Sequence, residues 1–508
     1  MNGTAEMSLP MPTTETLTAS LATPTKMPAL STLTAATARK AFSPSIFVGI
    51  ARVVELSLLL ALGSFIAAAY AIAPDHSNSQ QYTIAAILTV LTAAAAFQVL
   101  DLYRVTVFSH PLTNFARLAF GWTIAMGGLV LSLFFIKAGA DFSRVWLLLW
   151  FILGLVTIAV FRGVLSAATA AARSHGLFMQ NAVIYGTGPI VAELVKTVIN
   201  DPNSDIRICG VFDDRTDSRS DTVITNVEHL GNVDALIALS RQVRLDLVIM
   251  ALPLSAESRV STLMRRLWVL PVDVRLAASA SGLQFRPRNY SYVGAMPMLD
   301  LSDKPIRDWG GVAKWLFDKV IATLALIALA PVMVGVALAV RWESRGPVIF
   351  RQKRYGFNNE LIEVYKFRSM YTDMADATAA KLVTKDDPRV TRVGRIIRKT
   401  SLDELPQLVN VLMGTLSLVG PRPHAVHAKA ADKLYPDVVE SYFARHKVKP
   451  GITGWAQING WRGETNTPEK ILKRVEHDIF YIENWSVWFD LLILLKTPSS
   501  LLKSENAY

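Results

Sequence analysis

Four apolar runs in the first third of the chain, Val53 to Ala73, Tyr82 to Leu100, Leu118 to Ile136 and Val145 to Phe161, constrain its fold more than any other feature. Each is close to the ~20 residues that cross the hydrocarbon layer of a bilayer as a helix. In that layer backbone N–H and C=O groups must bond internally, so a run of this kind has to be helical. Short links carrying charge or Pro separate the runs. They predict a four-helix transmembrane bundle over residues 41–175, with Glu55 near the start of its first helix. Residues 1–40 are rich in Thr, Ala, Ser and Pro without apolar periodicity and are expected as a disordered cytoplasmic tail.

Hydrophobic residues are 51% of the chain and charged ones 18%, with a formal net charge of +11. The cations lie beside the apolar runs and in the last third, which points to anionic lipid and diphosphate groups and away from nucleic acid. Lys and Arg are retained on the cytoplasmic side of a membrane. Arg39, Lys40 and Arg52 precede the first run, Arg104 and Arg117 lie in the second link, and Arg162 and Arg173 follow the fourth run. Lys137 and Arg144, in the third link, dissent. The balance puts both ends of the bundle in the cytoplasm. Cys209 is the single cysteine, which excludes an internal disulfide and any multi-cysteine metal site.

From Gln180 the pattern changes to alternating strands and helices. Ala182 to Tyr185, Ile208 to Phe212, Leu245 to Leu252 and Val272 to Leu276 read as strands, and a helical stretch begins at Ile190. This predicts a Rossmann-like α/β domain over residues 176–305. Its glycine turn, Gly186, Thr187 and Gly188, is only Gly-x-Gly, and Pro189 follows where a phosphate would want an N–H. A nucleotide site and a regulatory or structural role both remain open there.

Ile321 to Val340 is a fifth apolar run without charge, with Pro331 in its middle. Arg307, Lys314 and Lys319 precede it, and Arg341, Arg345, Arg351, Lys353 and Arg354 follow. If cations stay inside, both ends stay inside, so the expectation is a re-entrant helix that breaks near Pro331 and returns. The alternative is a Pro-kinked span, which would place everything after it outside the cell.

Residues 306–508 then carry a dense series of motifs: Lys366, Phe367, Arg368 and Ser369; Asp387, Pro388 and Arg389; Arg398 to Pro406, containing Ser401, Leu402, Asp403 and Glu404; Pro421, Arg422 and Pro423; and Lys449, Pro450, Gly451, Ile452, Thr453 and Gly454. From about Lys314 to the C-terminus these resemble the bacterial polyprenyl-phosphate hexose-1-phosphate transferases, membrane enzymes that start exopolysaccharide and O-antigen units. The spans and α/β segment ahead of them resemble the long form of that family, so a mainly α-helical catalytic domain is expected after the re-entrant helix.

The resemblance implies that Asp403 is a nucleophile attacking the sugar-bearing phosphorus of a UDP-sugar and that Glu404 helps hold Mg²⁺. Against this, an Asp-Glu pair after Ser can be a helix N-terminal cap. It also implies a phosphate role for Arg422, whose guanidinium two prolines would present at low entropic cost. Lys366, Arg398, Arg354 and Arg368 are further candidate phosphate or headgroup ligands, and Asp478 a second acidic or metal-site residue. Trp485, Trp488, Phe489 and Leu491 to Leu495 read as a segment lying in the headgroup layer or as a core helix.

The partners implied are a UDP-sugar, undecaprenyl phosphate and the lipid of the bacterial inner membrane, with homo-oligomerisation possible. The stretch Gly460 to Thr465 resembles the glucose 1-phosphate branch, with galactose 1-phosphate the alternative. A nucleotide-sugar oxidoreductase or dehydratase would need a Tyr-x-x-x-Lys pair, and none lies between Gln180 and Asp300.

Overall fold

The computed structural model describes residues 42–71, 79–109, 111–201, 204–214, 229–253, 256–277, 290–293, 296–372, 387–424, 429–430, 433–434, 442–461 and 467–503. The tail at 1–40 and residues 462–465 of the sugar-branch stretch lie outside these. Four long helices form the first unit: α1 (Pro44–Tyr70), α2 (Ser79–Val99), α3 (Pro111–Phe135) and α4 (Arg144–Ser174). Both α1 and α4 outrun the apolar stretches that predicted them. The first begins with Pro44 at its opening turn, and Phe47 and Val48 pack near Phe108 and Leu165.

Indoles pin the bundle together. Trp146 and Trp150 donate Nε1 hydrogen bonds to the Gly63 and Leu59 carbonyls at 2.9 and 3.0 Å. A Cβ on Gly63 would lie 2.5 Å from the Trp150 ring, and one on Gly154 would lie 2.6 Å from Trp122. Small residues are what allow such close helix approach where lipid supplies no hydrophobic drive.

Glu55 is buried against Arg162, which donates to both its carboxylate oxygens at 2.8 Å. Removing one member of a buried pair strands the other charge. Glu55→Gln is expected to destabilise the bundle by about 3–5 kcal/mol, read as a lower thermal midpoint in detergent.

The α/β unit is a single sheet. Its strands are β1 (Gln180–Tyr185), β2 (Ile206–Phe212), β3 (His229–Gly231), β4 (Leu247–Met250), β5 (Asp273–Ala277), β6 (Tyr290–Val293) and β7 (Met296–Ser302). They lie in the order β3-β2-β1-β4-β5-β7-β6, parallel through β5 and antiparallel at the β7 and β6 edge. The order reverses between β1 and β4, where doubly wound folds bind ligands. There the chain's own groups meet. Asp213 accepts from the Thr187 hydroxyl at 2.7 Å and pairs with Arg259 at 2.8 Å. Pro189 opens the next helix, α5 (Pro189–Asn200), at a position where a missing N–H costs nothing.

Helix α8 runs unbroken from Asp308 to Glu343, numbered after α6 (Val233–Gln242) and α7 (Glu257–Leu267). The break expected at Pro331 is therefore absent. Proline removes one N–H, leaving the Ile327 carbonyl without its helical partner, but helix on both sides carries the backbone through. With α1 to α4 it makes five helices long and apolar enough to cross a membrane among the described residues.

One face of α8 packs on the C-terminal unit in two patches. Ala322 joins Leu408, Val411 and Tyr481, whereas Val336 and Val340 join Phe367 and Ile397. Leu324, Ile327, Val334 and Leu338 are left bare on it.

The C-terminal unit is largely helical but opens on an antiparallel hairpin, β8 (Ile349–Tyr355) with β9 (Leu361–Phe367), which the sequence reading did not anticipate. Helices α9 (Arg392–Lys399) and α10 (Gln407–Met413) follow, then the parallel pair β10 (Ser417–Val419) and β11 (Gly451–Thr453). The short α11 (Trp455–Ile458), α12 (Pro468–Glu483) and α13 (Val487–Lys503) complete it. On α13 Ile493 is fully buried while Trp488 and Leu495 are 80% and 73% exposed, so the helix has both a core face and a bare apolar face.

Candidate active site

The site is built where α9 hands over to α10. Ser401 adopts left-handed backbone angles (φ 59°, ψ 17°), and Leu402–Glu404 form a single 3-10 turn before the next helix. A non-glycine residue held there stores of order 1–3 kcal/mol and needs its surroundings to hold it. The capping reading fails, since Ser401 makes no side-chain cap and α10 starts three residues beyond Glu404. The turn buries Asp403 and Glu404 together instead.

Opposite the turn, the β8–β9 register sets Arg354 against Ile362, so Arg354, Gln352, Val364 and Lys366 share the inward face of the hairpin. Lys366 Nζ donates to Glu404 Oε1 at 2.7 Å. Arg422 reaches the same carboxylate with Nη2 at 2.5 Å and Nη1 at 3.2 Å. Arg354 lies alongside, donating to Gln352 and to the Pro423 carbonyl, the latter at 2.5 Å.

Burial pushes the Asp403 carboxyl up, and Glu404 beside it adds to this, against the attraction of Lys366, Arg398 and Arg422. Burial also acts against charge on Glu404, but Arg422 and Lys366 together override it and hold that group well below the usual carboxylate range. The pair is thus divided into one fixed anion and one carboxylate whose charge is poorly compensated. That division is how neighbouring acids acquire different roles. Burial and Arg422 bring Arg354 down to about 10, which leaves it protonated at neutral pH.

Two of the expected residues lie elsewhere. Arg368 donates to the Val340 and Ser344 carbonyls at 3.5 and 2.6 Å and to Arg345 at 3.0 Å. It ties down the C-terminal end of α8, where free carbonyls attract a cation. Asp478, expected as a second acidic or metal-site residue, is taken up by an ion pair. It is buried with Arg445 donating to it at 2.5 Å, because Arg445 and Arg474 need an anion in that interior. Among the described residues no group of three or more His, Cys, Asp or Glu could hold a metal.

Arg445 is the residue the sequence reading missed. Fully buried, it also donates to the Arg422 carbonyl at 2.9 Å and meets the His424 ring at 2.6 Å. The backbone behind the reactive-face guanidinium is therefore anchored by a second, hidden one.

The family model for bacterial sugar transferases matches residues 309–504, and one for a CoA-binding domain matches residues 98–278. The UDP-glucose:undecaprenyl-phosphate glucose-1-phosphate transferase of Escherichia coli (strain K12) is 36% identical over 429 residues, 83% of this chain and 90% of its own length. The chain belongs to the bacterial sugar transferases. The enzyme of the same name from Xanthomonas campestris pv. campestris is 34% identical over 84% of this chain and 88% of its own. A UDP-N-acetylgalactosamine-undecaprenyl-phosphate N-acetylgalactosaminephosphotransferase of Aeromonas hydrophila is 40% identical over 191 residues, covering 37% of this chain and 44% of its own. Membership makes this protein a membrane-embedded sugar-phosphate transferase and removes the oxidoreductase alternative.

Histidines behind the transferase site give it an acid limit. His446 is buried among Tyr355, Tyr442 and Phe443, and both its ring nitrogens lack hydrogen-bond partners. Burial, with Arg445 and Arg241 nearby, brings it down to about 3, and His424 is lowered too by burial and by Arg445. The unfolded chain takes up these protons below about pH 6.5, whereas the folded one does not. Stability is then full above that pH and falls by up to ~1.4 kcal/mol per unit per histidine as pH drops toward 3. His446→Leu should flatten the fall of thermal midpoint between pH 7 and 5, and an unchanged slope would count against this origin.

Proposed function

We propose that this transferase moves a hexose 1-phosphate, glucose 1-phosphate in the first instance, from a UDP-sugar to undecaprenyl phosphate at the cytoplasmic face of the bacterial inner membrane. The observation that carries the reading is the buried Asp403–Glu404 turn faced by Lys366, Arg422 and Arg354. Asp403 attacks the sugar-bearing phosphorus, the P–O bond to UMP breaks, and a phosphosugar is left on the carboxylate. An oxygen of the lipid phosphate then attacks that phosphorus and releases Asp403. Covalent catalysis divides one hard displacement into two easier ones.

Lys366 and Arg422, which neutralise Glu404 in the free enzyme, carry the charge a diphosphate recruits. Mg²⁺ commonly takes one or two carboxylates and completes its shell with substrate phosphates and water, and this acidic pair suits such a site. Glu404 would hold the ion with Asp403 at hand, and once bound it would screen the repulsion between diphosphate and nucleophile.

The bare face of α8 supports an unbroken helix lying along the inner leaflet. Its start is held by Lys314, which donates to Asp490 at 2.6 Å and to the Val419 carbonyl at 3.0 Å. Its end is held by Glu343, which accepts from the Arg392 and Val393 amides at 2.7 and 2.9 Å. Both clamps belong to one charged unit, so placing the ends on opposite sides of a ~30 Å hydrocarbon layer would drag that unit into lipid. Glucose rests on the names of the Escherichia coli and Xanthomonas relatives, while the Aeromonas relative is named for N-acetylgalactosamine.

The test is a panel of UDP-sugars offered to nanodisc-held enzyme with undecaprenyl phosphate and Mg²⁺, scored by UMP release. UDP-glucose is expected to lead. No release with any donor would overturn the reaction, and a different leading donor only the sugar. With Cys209→Ser as background, Glu360→Cys should resist an impermeant thiol reagent in intact cells, and labelling would overturn the topology.

A further inference from the structure

The α/β unit meets the catalytic unit without sharing a core with it. Among the described residues, neither apolar cluster of its sheet takes in a side chain of the catalytic unit. A cavity of about 660 Å³ opens between the two, with Ser240, Arg241, Phe357, Asn358 and Lys447 on its wall. The join there is carried by a few identifiable contacts.

Those contacts grip two elements of the catalytic unit. The first is the turn of the β8–β9 hairpin. Asn358 holds left-handed backbone angles (φ 51°, ψ 32°), which Asn tolerates better than most side chains. Its Nδ2 donates to the Ser240 carbonyl at 2.7 Å. Ser240 lies in the last turn of α6, where carbonyls run out of helical partners. The second element is the 3-10 segment Tyr442–Lys447, against which the hairpin turn also packs. Arg241, from the same end of α6, lies over the Phe443 ring at 5.5 Å. Lys447 lies over the ring of Trp268, just beyond α7, at 3.9 Å. Desolvation strengthens attraction between a cation and a ring, and Lys447 is buried.

Both gripped elements lead to the same turn. Arg354, on the β8 arm of the hairpin, donates to the Pro423 carbonyl at 2.5 Å. Arg445, between Phe443 and Lys447 in the chain, donates to the preceding carbonyl, that of Arg422, at 2.9 Å. Two guanidiniums thus hold successive carbonyls beside the Arg422 side chain, and each belongs to an element that the α/β unit holds. A shift of either element moves the backbone that presents the Arg422 guanidinium.

We propose that the α/β unit braces the donor-phosphate site, with Asn358, Arg241 and Trp268 as positioning residues that act through Arg354 and Arg445 to fix Arg422. This role rests on the reading of Arg422 as a phosphate ligand of the donor. It gives the α/β unit a part in the reaction that needs no ligand at its switch point.

Full-length enzyme in nanodiscs tests the brace, with donor KM and kcat read from UMP release. Asn358→Gly keeps the left-handed turn and removes the amide, whereas Trp268→Leu removes the ring against Lys447. The double variant is expected to raise donor KM about tenfold and leave kcat within about twofold, the pattern of lost binding with the chemical step intact. Trp268→Phe alone keeps a ring for Lys447 and should stay within about threefold of wild type in KM. Added to Arg422→Lys, the double change should cost less than about twofold more, because effects that run through one group do not add. An unchanged KM, a fall in kcat alone as loss of folded enzyme would give, or a full additional loss on Arg422→Lys overturns the brace. If the double variant does not fold, Arg241→Met, at an exposed residue, is read by the same criterion with about a threefold rise in KM expected. A wild type that releases no UMP with any donor sinks the reaction and the brace with it, whereas an active wild type with an indifferent variant sinks the brace alone.

Discussion

Asp403→Asn should abolish UMP release, by at least ~10⁴-fold in kcat, while the protein stays inserted and folded. Replacing a covalent nucleophile in other enzymes costs on this order or more, because the residual rate comes only from binding and electrostatics. The amide is nearly isosteric and removes a charge that burial already disfavours, so the 3-10 turn at Leu402–Glu404 has no reason to open. Glu404→Gln should behave differently. It strips the anion that balances Lys366 and Arg422, so it should weaken donor handling and lower stability together. The discriminating measurement is mass spectrometry of enzyme incubated with donor alone. Wild type should gain the mass of a phosphosugar, Asp403→Asn should not, and full turnover by Asp403→Asn would remove Asp403 from the mechanism.

How far the sequence could lead differs along the chain. Apolar runs gave the bundle because length and the lack of charge decide the matter in lipid, but they missed the first nine residues of α1, where only one side of the helix is apolar. The sheet was legible because buried parallel strands are short, continuous apolar runs. Pro331 was over-read: a local rule about one N–H cannot weigh 36 residues of helix packed on a neighbouring unit. At the site, motif resemblance placed Asp403, Glu404, Lys366 and Arg422 together, and the structure puts these four in one cluster. Arg368 and Asp478 misled because a cation or acid inside a motif looks the same in one dimension whether it faces substrate or backbone. Arg445 left no signal beyond one more cation in the basic stretch Arg445 to Lys449, since its partners, His424 and Asp478, lie 21 and 33 residues away.

That hidden guanidinium makes the second large prediction. Arg445 holds the Arg422 carbonyl, Asp478 and His424 at once, and a misplacement of about 1 Å at a phosphate-binding group can cost ~10²-fold. Arg445→Lys keeps the charge but presents one ammonium in place of a planar fork, so it cannot serve three partners. It is expected to lower kcat/KM about 10²-fold, with donor KM raised. Arg445→Met alone would strand Asp478 and cost ~3–5 kcal/mol of stability, confounding the reading. Pairing it with Asp478→Leu removes both charges, and replacing a buried ion pair with apolar groups is often close to neutral. The double variant should therefore recover its thermal midpoint yet stay as impaired as Arg445→Lys, since the bond that holds the Arg422 carbonyl is then gone. If activity returned along with stability, Arg445 would be a structural ion-pair partner and would not position the substrate-facing arginine.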